Sequence, residues 1–287
     1  MNTLPTLFAA GISSGAILAI LALGFAVSYW PSRQFHFAYG GVFLVASYGL
    51  WWATTTAHMP FSLAVLVAGG AAVITSFFCY QFFYNPLHSE NGVFLTGFAL
   101  AIALQYLIQI VFSADPQGVQ PPTTWIYNPI SLGSIHFSGI QVIEAVTGFG
   151  AWLAVAIFLA RSKTGIALRA LSSDHYLTEC VGIRVRRLLA MAYALGAVLV
   201  TIAAVIYAVD FGMNPASGNN PLFYAINGTL LGGMRSINGA ALGGLLLGIL
   251  TNVGIWLVPS EWQDGIAFGF LLVVLLFRPH GLLAQEG

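Results

Sequence analysis

The sequence predicts an all-α, polytopic membrane protein of about eight transmembrane spans, with one broken or re-entrant glycine-rich segment. Three observations carry this. Of 287 residues, 58% are hydrophobic and only 6% are charged, where a soluble domain has roughly 25% charged residues. Apolar runs of about 17–25 residues, the length of a membrane-crossing helix, recur along the chain. Apart from Arg235 in the glycine-rich stretch, the lysines and arginines fall only in alternate segments flanking those runs. Charge is balanced, and no basic block is present to hold the phosphates of a nucleic acid. Cys79 and Cys180 fall in separate segments, and the six histidines are scattered, so neither a disulfide framework nor a metal site is expected. The opening MNTLPTLFAAG has no basic n-region, so the first apolar run is read as a span rather than a cleaved leader.

The runs cover 7–30, 41–57, 61–83, 92–113, 139–160, 188–209 and 265–277. Six of the nine basic residues lie in one connection: Arg161, Lys163, Arg169, Arg184, Arg186 and Arg187. The positive-inside rule makes that connection cytoplasmic. Counting outward places Arg33 and Arg278 inside, the N-terminus outside and the C-terminus in the cytoplasm. The segments 114–138, 210–221 and 259–264 then fall outside, and they hold no lysine or arginine.

The stretch 222–258 must enter and leave on the outer side. Its core, NGTLLGGMRSINGAALGGLLLG, has seven glycines in 22 residues, although glycine destabilises a helix interior by about 1 kcal/mol relative to alanine. The first arm, LFYAINGTLLGG, is too short to span comfortably. The block is either a re-entrant half-helix plus a span or two spans with one shortened. Gly232, Gly233, Arg235, Asn238 and Gly239 form a break, and broken backbone at depth needs protein or a water-filled cavity around it. The pairs Gly228/Gly232, Gly239/Gly243, Gly244/Gly248 and Gly11/Gly15 equally suit close helix approach in lipid. Arg235 reads either as part of a pathway or as an inner-face anchor that snorkels to headgroups.

No enzyme constellation is present. There is no GxSxG, no HExxH and no GxxxxGK[ST], and the only lysine, Lys163, lacks a phosphate-cradling glycine loop. Glu144 and Asp210, near outer span ends, read as solvated. Gln105, Gln109 and Ser113 recur at i, i+4, i+8 on one helix face, either lining a path or bonding to neighbouring helices. In the basic segment 161–187, TGIALRAL reads as a short helix. Ser173 or Asp174 would cap a second turn, DHYLTECV, and Gly182 would end it. Such a pair of short helices is a docking surface for a partner, or a helical positive-inside anchor.

Four stretches together resemble the bacterial ABC-importer permeases of the branched-chain amino acid type, close to the shorter of their two permeases. GISSGAILAILALGFAVSYW resembles the first span, and RQFHFAYGG resembles an R-x-x-N-F-A-H-G-E segment. RSKTGIALRALSSD…VGI resembles the ATPase-docking loop at Gly165, Arg169, Ala170, Gly182 and Ile183. LLGGMRSINGAALGGLLLG with PSEWQDGIAF…LLFRPHGLL resembles the last third. The sequence departs from the family pattern at His36 (usually Asn), Tyr39 (His), Gly41 (Glu), Arg235 (Gly) and Asn238 (Pro). The family also takes urea, short amides and small organic acids, so these departures leave the solute open. His36 is either a solute-facing group that changes charge near neutral pH or a polar residue bonded to a neighbouring helix.

The resemblance implies one permease domain over 1–287 that forms half of a translocation pathway in the bacterial inner membrane. It implies a second homologous permease, two cytoplasmic ATP-binding subunits on loops such as 161–187, and an external solute-binding protein. ATP is used by the partners, and no cofactor is bound by this chain. Phe35, His36, Tyr39, Gln105, Gln109, Asn227, Gly232, Gly233, Arg235 and Asn238 are the expected pathway or gate residues. Gly165, Arg169, Ala170, Asp174 and Gly182 are the expected docking residues. The alternative is a self-sufficient carrier or channel.

Overall fold

A computed structural model describes residues 3–283 except 88, 122, 133–134 and 257. Eleven α-helices are described: α1 (Thr3–Ser32), α2 (Tyr39–Trp51), α3 (Phe61–Phe78), α4 (Glu90–Phe112), α5 (Gly139–Arg161), α6 (Lys163–Ser173), α7 (His175–Cys180), α8 (Val185–Asp210), α9 (Asn219–Gly232), α10 (Ile237–Gly254) and α11 (Gln263–Phe277). Among the described residues, six helices are long and apolar enough to cross a membrane: α1, α3 with its C-terminal extension, α4, α5, α8 and α10. Helix α11 is apolar but shorter. A π turn, Trp52–Thr56, prolongs α2. The all-α expectation holds with one addition. Strand β1 (Pro129–Leu132) pairs antiparallel with β2 (Ile135–Ser138) just before α5.

The chain divides into two compact units, with boundaries inside α1, α5 and α9. The first unit holds residues 1–23, 121–152 and 223–287. Here the glycine pairs serve close approach. A methyl group on Gly244 would sit 2.5 Å from Leu18 O, and one on Gly15 would sit 2.6 Å from Leu245 O. One on Gly243 would overlap Gly228 O, so α10 runs against the backbones of both α1 and α9. Lipid gives no hydrophobic drive for helices to associate, so they gain most where bare backbones touch. Thr229 Oγ1 donates to Ala22 O at 3.1 Å, and Asn252 Nδ2 donates to Ser14 Oγ at 2.6 Å, tying the same helices together. On the other side of α10, Leu231, Leu247, Ala267 and Leu271 make a small core with α11.

The second unit holds residues 24–120 and 153–222. Its centre is α2, buried on nearly all sides between α3, α4 and α8, as expected of a helix apolar all round. Leu44, Tyr48 and Leu50 of α2 meet Ala64 and Ala68 of α3, Ile108 of α4 and Ala208 of α8. Helix α3 buries only a stripe of small residues, Ala64, Ala68, Ala72 and Ser76, spaced by four. That is the period of one helix face, and the other positions of α3 are half-buried or exposed. A second π turn, Cys79–Tyr84, ends α3 with Asn85 N–H donating to Tyr80 O at 2.8 Å.

Candidate functional site

The segment 33–38 interrupts the helix between α1 and α2. Tyr39 and Gly40, ahead of the expected run 41–57, already belong to α2. Arg33 takes a positive φ of 54° and donates from its guanidinium to Ser172 O of α6 at 3.3 Å. His36 sits in the break, outside both helices, and is 1% exposed. Its Nδ1 lies 3.0 Å from Tyr84 Oη, sharing one hydrogen bond, while Nε2 has no partner. The rings of Tyr193, Tyr84 and Tyr39 stand edge-on to the imidazole at 5.0, 5.5 and 6.1 Å. Tyr84 reaches it from the π turn, a distortion that frequently marks functional positions in helices.

Burial lowers the His36 pKa from 6.5 to about 3. Of the two readings of His36, its burial and its bond to Tyr84 favour a polar residue bonded to a neighbouring helix over a group that changes charge near neutral pH. The unfolded chain takes up a proton below 6.5 and the folded chain does not, so stability falls as pH drops from 6.5 toward 3. The loss should be roughly 1.4 kcal/mol per pH unit. Thermal unfolding in detergent at pH 7, 5.5 and 4.5 should show that slope in the parent and a shallower one in His36→Gln. Parallel slopes would remove His36 as its source.

Phe35 is half-buried and packs its ring against Phe25, Tyr29 and Phe37. Gln105 and Gln109 are half-buried on α4. Ser113 lies past the helix end at φ 72° and bonds to Asp115 instead, so the expected stripe is two residues long. Glu144, expected to be solvated, is 3% exposed: α5 starts at Gly139 and turns this residue inward. Asp210 is half-buried at the end of α8.

In the first unit, Gly232 ends α9 and Gly239 lies in the first turn of α10. A side chain on either would overlap the other's carbonyl. Between them Gly233 adopts φ +107°, where L side chains are strained. The tail closes over this turn, with Leu282 N–H donating to Leu231 O at 2.9 Å and Leu283 N–H to Gly232 O at 3.1 Å. Arg235 is exposed rather than enclosed, and Asn238 is exposed with its Oδ1 accepting from Trp152 Nε1 at 3.1 Å. Asn227 is buried on α9 with Nδ2 unpartnered.

The basic segment has the local structure its residues predict. Ser162 Oγ accepts from Gly165 N–H at 2.8 Å and opens α6. Asp174 Oδ1 accepts from Leu177 N–H at 2.9 Å and opens α7. Gly182 follows α7 at φ +79°, the left-handed residue that commonly ends a helix. Gly165 is buried, and a methyl there would sit 2.6 Å from Leu159 Cα, so α6 lies directly on the end of α5. Arg169 and Ala170 are exposed, and Arg169 Nη2 donates to Ala160 O at 3.4 Å. The sequence reading missed the side chains this scaffold presents. Ile166, Tyr176, Leu177 and Val181 are all half or more exposed. Their signal was a helical apolar pattern on a segment too charged to be a span.

Apolar helices of membrane-crossing length, with a capped and exposed helical pair between two of them, define a multi-pass membrane protein. The chain belongs to the family of branched-chain amino acid transport system permease components, whose model matches residues 7–275. It is 31% identical to the high-affinity branched-chain amino acid transport system permease protein BraD of Pseudomonas aeruginosa, over 96% of this chain and 94% of the relative. Identity is 27% to the permease protein LivH of Salmonella typhimurium, over the same shares of each chain. It is 24% to a probable LivH of Methanocaldococcus jannaschii, over 94% and 89%. Among solved structures, PsaBC from Streptococcus pneumoniae in complex with Fab overlaps 97% of this chain and 91% of its own, at a TM-score of 0.48 and 17% identity. The chain is thus a transporter permease subunit of the ABC-importer type, and the self-sufficient carrier is not favoured.

Proposed function

We propose that this chain forms half of a translocation pathway for a branched-chain amino acid or a related amino acid or amide. The relatives' substrate supports the solute class. A second homologous permease completes the pathway, and an external solute-binding protein delivers cargo. Two ATP-binding subunits dock from the cytoplasm, one on α6–α7 of each permease. The N-terminus lies outside and the C-terminus inside the bacterial inner membrane. One observation carries the docking reading: a helical pair with capped ends that holds Ile166, Tyr176, Leu177 and Val181 in solvent. Exposed apolar clusters of this kind mark interaction sites.

ATP binding draws the partner subunits together, and α6 moves with them. Because α6 rests on α5 at Gly165 and touches the α1–α2 break through Arg33 and Ser172, the motion reaches the spans of the second unit. The breaks at 33–38 and 233–236 supply the pathway or its gate. The two access states must differ in affinity for the ATPase and for the binding protein, since only differential binding shifts an equilibrium.

The test is purification of the tagged chain in mild detergent from its native membrane, with mass spectrometry of what accompanies it. A Walker-motif ATPase and a second permease support the proposal. A chain that emerges alone and moves solute in vesicles without ATP overturns it. Within the complex, Arg169→Glu should lower ATP-driven uptake by about tenfold, a coupling loss of ~1.4 kcal/mol, while Arg169→Lys retains most of it. Unchanged uptake in Arg169→Glu would remove Arg169 from the docking set.

A further inference from the structure

We infer that the groove between the basic segment and the adjoining ends of α3 and α8 is a binding site for an anionic phospholipid of the inner leaflet. The groove is open to one side and has a volume of about 530 Å³. Its floor comes from Phe77 and Gln81 at the end of α3 and Ala190 on α8. Its rim carries Arg184, Arg186 and Arg187, against one carboxylate, Glu179. Among the described residues, none of these arginines forms an ion pair. Arg186 is held by a neutral partner: with the Asn85 amide turned to offer its oxygen, Nη2 and Nε donate at 2.8 and 3.1 Å. The guanidinium is positioned and its charge is left uncompensated.

The apolar side of the groove continues beyond it. Leu66, Ile74, Phe77 and Phe78 of α3 and Met191 and Val198 of α8 are exposed. Gly70, also exposed, has open space where a side chain would be. The occupant must therefore be anionic at one end and long and apolar at the other. A water-soluble protein segment offers no apolar length inside a bilayer, and free phosphate offers none at all. An anionic phospholipid has both, and basic pockets at cytoplasmic helix ends bind such headgroups. The site rests on the cytoplasmic placement of the basic segment, but its test reads lipid and not uptake.

The experiment is quantification of phospholipid retained by the detergent-purified complex from native membranes, for the parent and for Arg184→Gln/Arg186→Gln/Arg187→Gln. The parent should retain phosphatidylglycerol or cardiolipin in preference to phosphatidylethanolamine. Each arginine near an anionic headgroup contributes a factor of about five, so the triple variant should bind its anionic lipid about a hundredfold more weakly. Equal retention in both proteins, or no preference for anionic lipid in the parent, overturns the site. Loss of the ATPase subunit with lipid unchanged assigns the groove to that subunit and also overturns it. Should the triple variant fail to assemble, the delipidated parent is titrated instead. Phosphatidylglycerol should then raise its melting temperature and phosphatidylcholine should not; equal shifts count against the site.

Discussion

Replacing Gly248 with leucine is expected to lower the yield and stability of the folded protein sharply. The residue faces α1 at the tightest point of the α1–α10 seam. A first side-chain carbon would overlap the Gly15 backbone and stand 3.1 Å from Gly11 O. These are main-chain atoms of a helix, so no rotamer change relieves the clash and the helices must separate along their length. Overpacking of a rigid seam costs about 1–3 kcal/mol, sometimes more, and here the seam also carries the Asn252–Ser14 hydrogen bond. With net stabilities of only about 5–15 kcal/mol, a loss at the top of that range is severe. Size-exclusion chromatography in detergent should show aggregate, and the melting temperature of any soluble fraction should fall steeply. Gly150→Ala and Gly269→Ala are the controls. Neither glycine has a neighbour within 4 Å of a new methyl, and alanine is favoured over glycine in a helix by about 1 kcal/mol. If Gly248→Leu behaves like these controls, the seam is not what holds the first unit together.

Much of this arrangement was legible in the residues, and the exceptions have physical causes. The span 61–83 became α3 with its π turn, ending at Tyr84, and 139–160 became α5, ending at Arg161. Apolar run length sets a membrane helix almost unaided. The cap at Asp174 and the left-handed Gly182 were legible because each depends on a side chain or on φ within a few residues. What one chain segment does to a distant one was not legible. Nothing local shows that His36 is enclosed by tyrosines from α2, the π turn and α8, or that Glu144 turns inward while Arg235 stays exposed. The glycines posed the same problem. Their spacing suited both a pathway lining and close helix approach, and only the opposing backbone distinguishes the two at Gly243 and Gly244.

A paired substitution at Leu177 of α7 and Val181 just past its end should instead spare the fold and abolish function. Leu177 and Val181 are exposed to 62% and 75%, so aspartate at both should change stability by only about ±0.5 kcal/mol each, as surface substitutions do. Their effect should fall on the docked complex. Apolar anchors at the centre of an interface commonly cost about 2 kcal/mol or more when removed, and two carboxylates buried there without partners add a desolvation penalty. The combined loss, ~4 kcal/mol, corresponds to roughly a thousandfold weaker ATPase binding. Leu177→Asp/Val181→Asp should therefore insert, melt as the parent does and retain its partner permease, yet purify without the ATPase and show no ATP-driven uptake. Neighbouring Thr178 supplies the contrast. It is buried, and its Oγ1 donates to Asp174 O, so Thr178→Val should lower stability slightly and leave ATPase binding intact. If the paired aspartates leave the ATPase bound, docking runs through the charged face around Arg169 instead, and Arg169→Glu should then have the larger effect of the two.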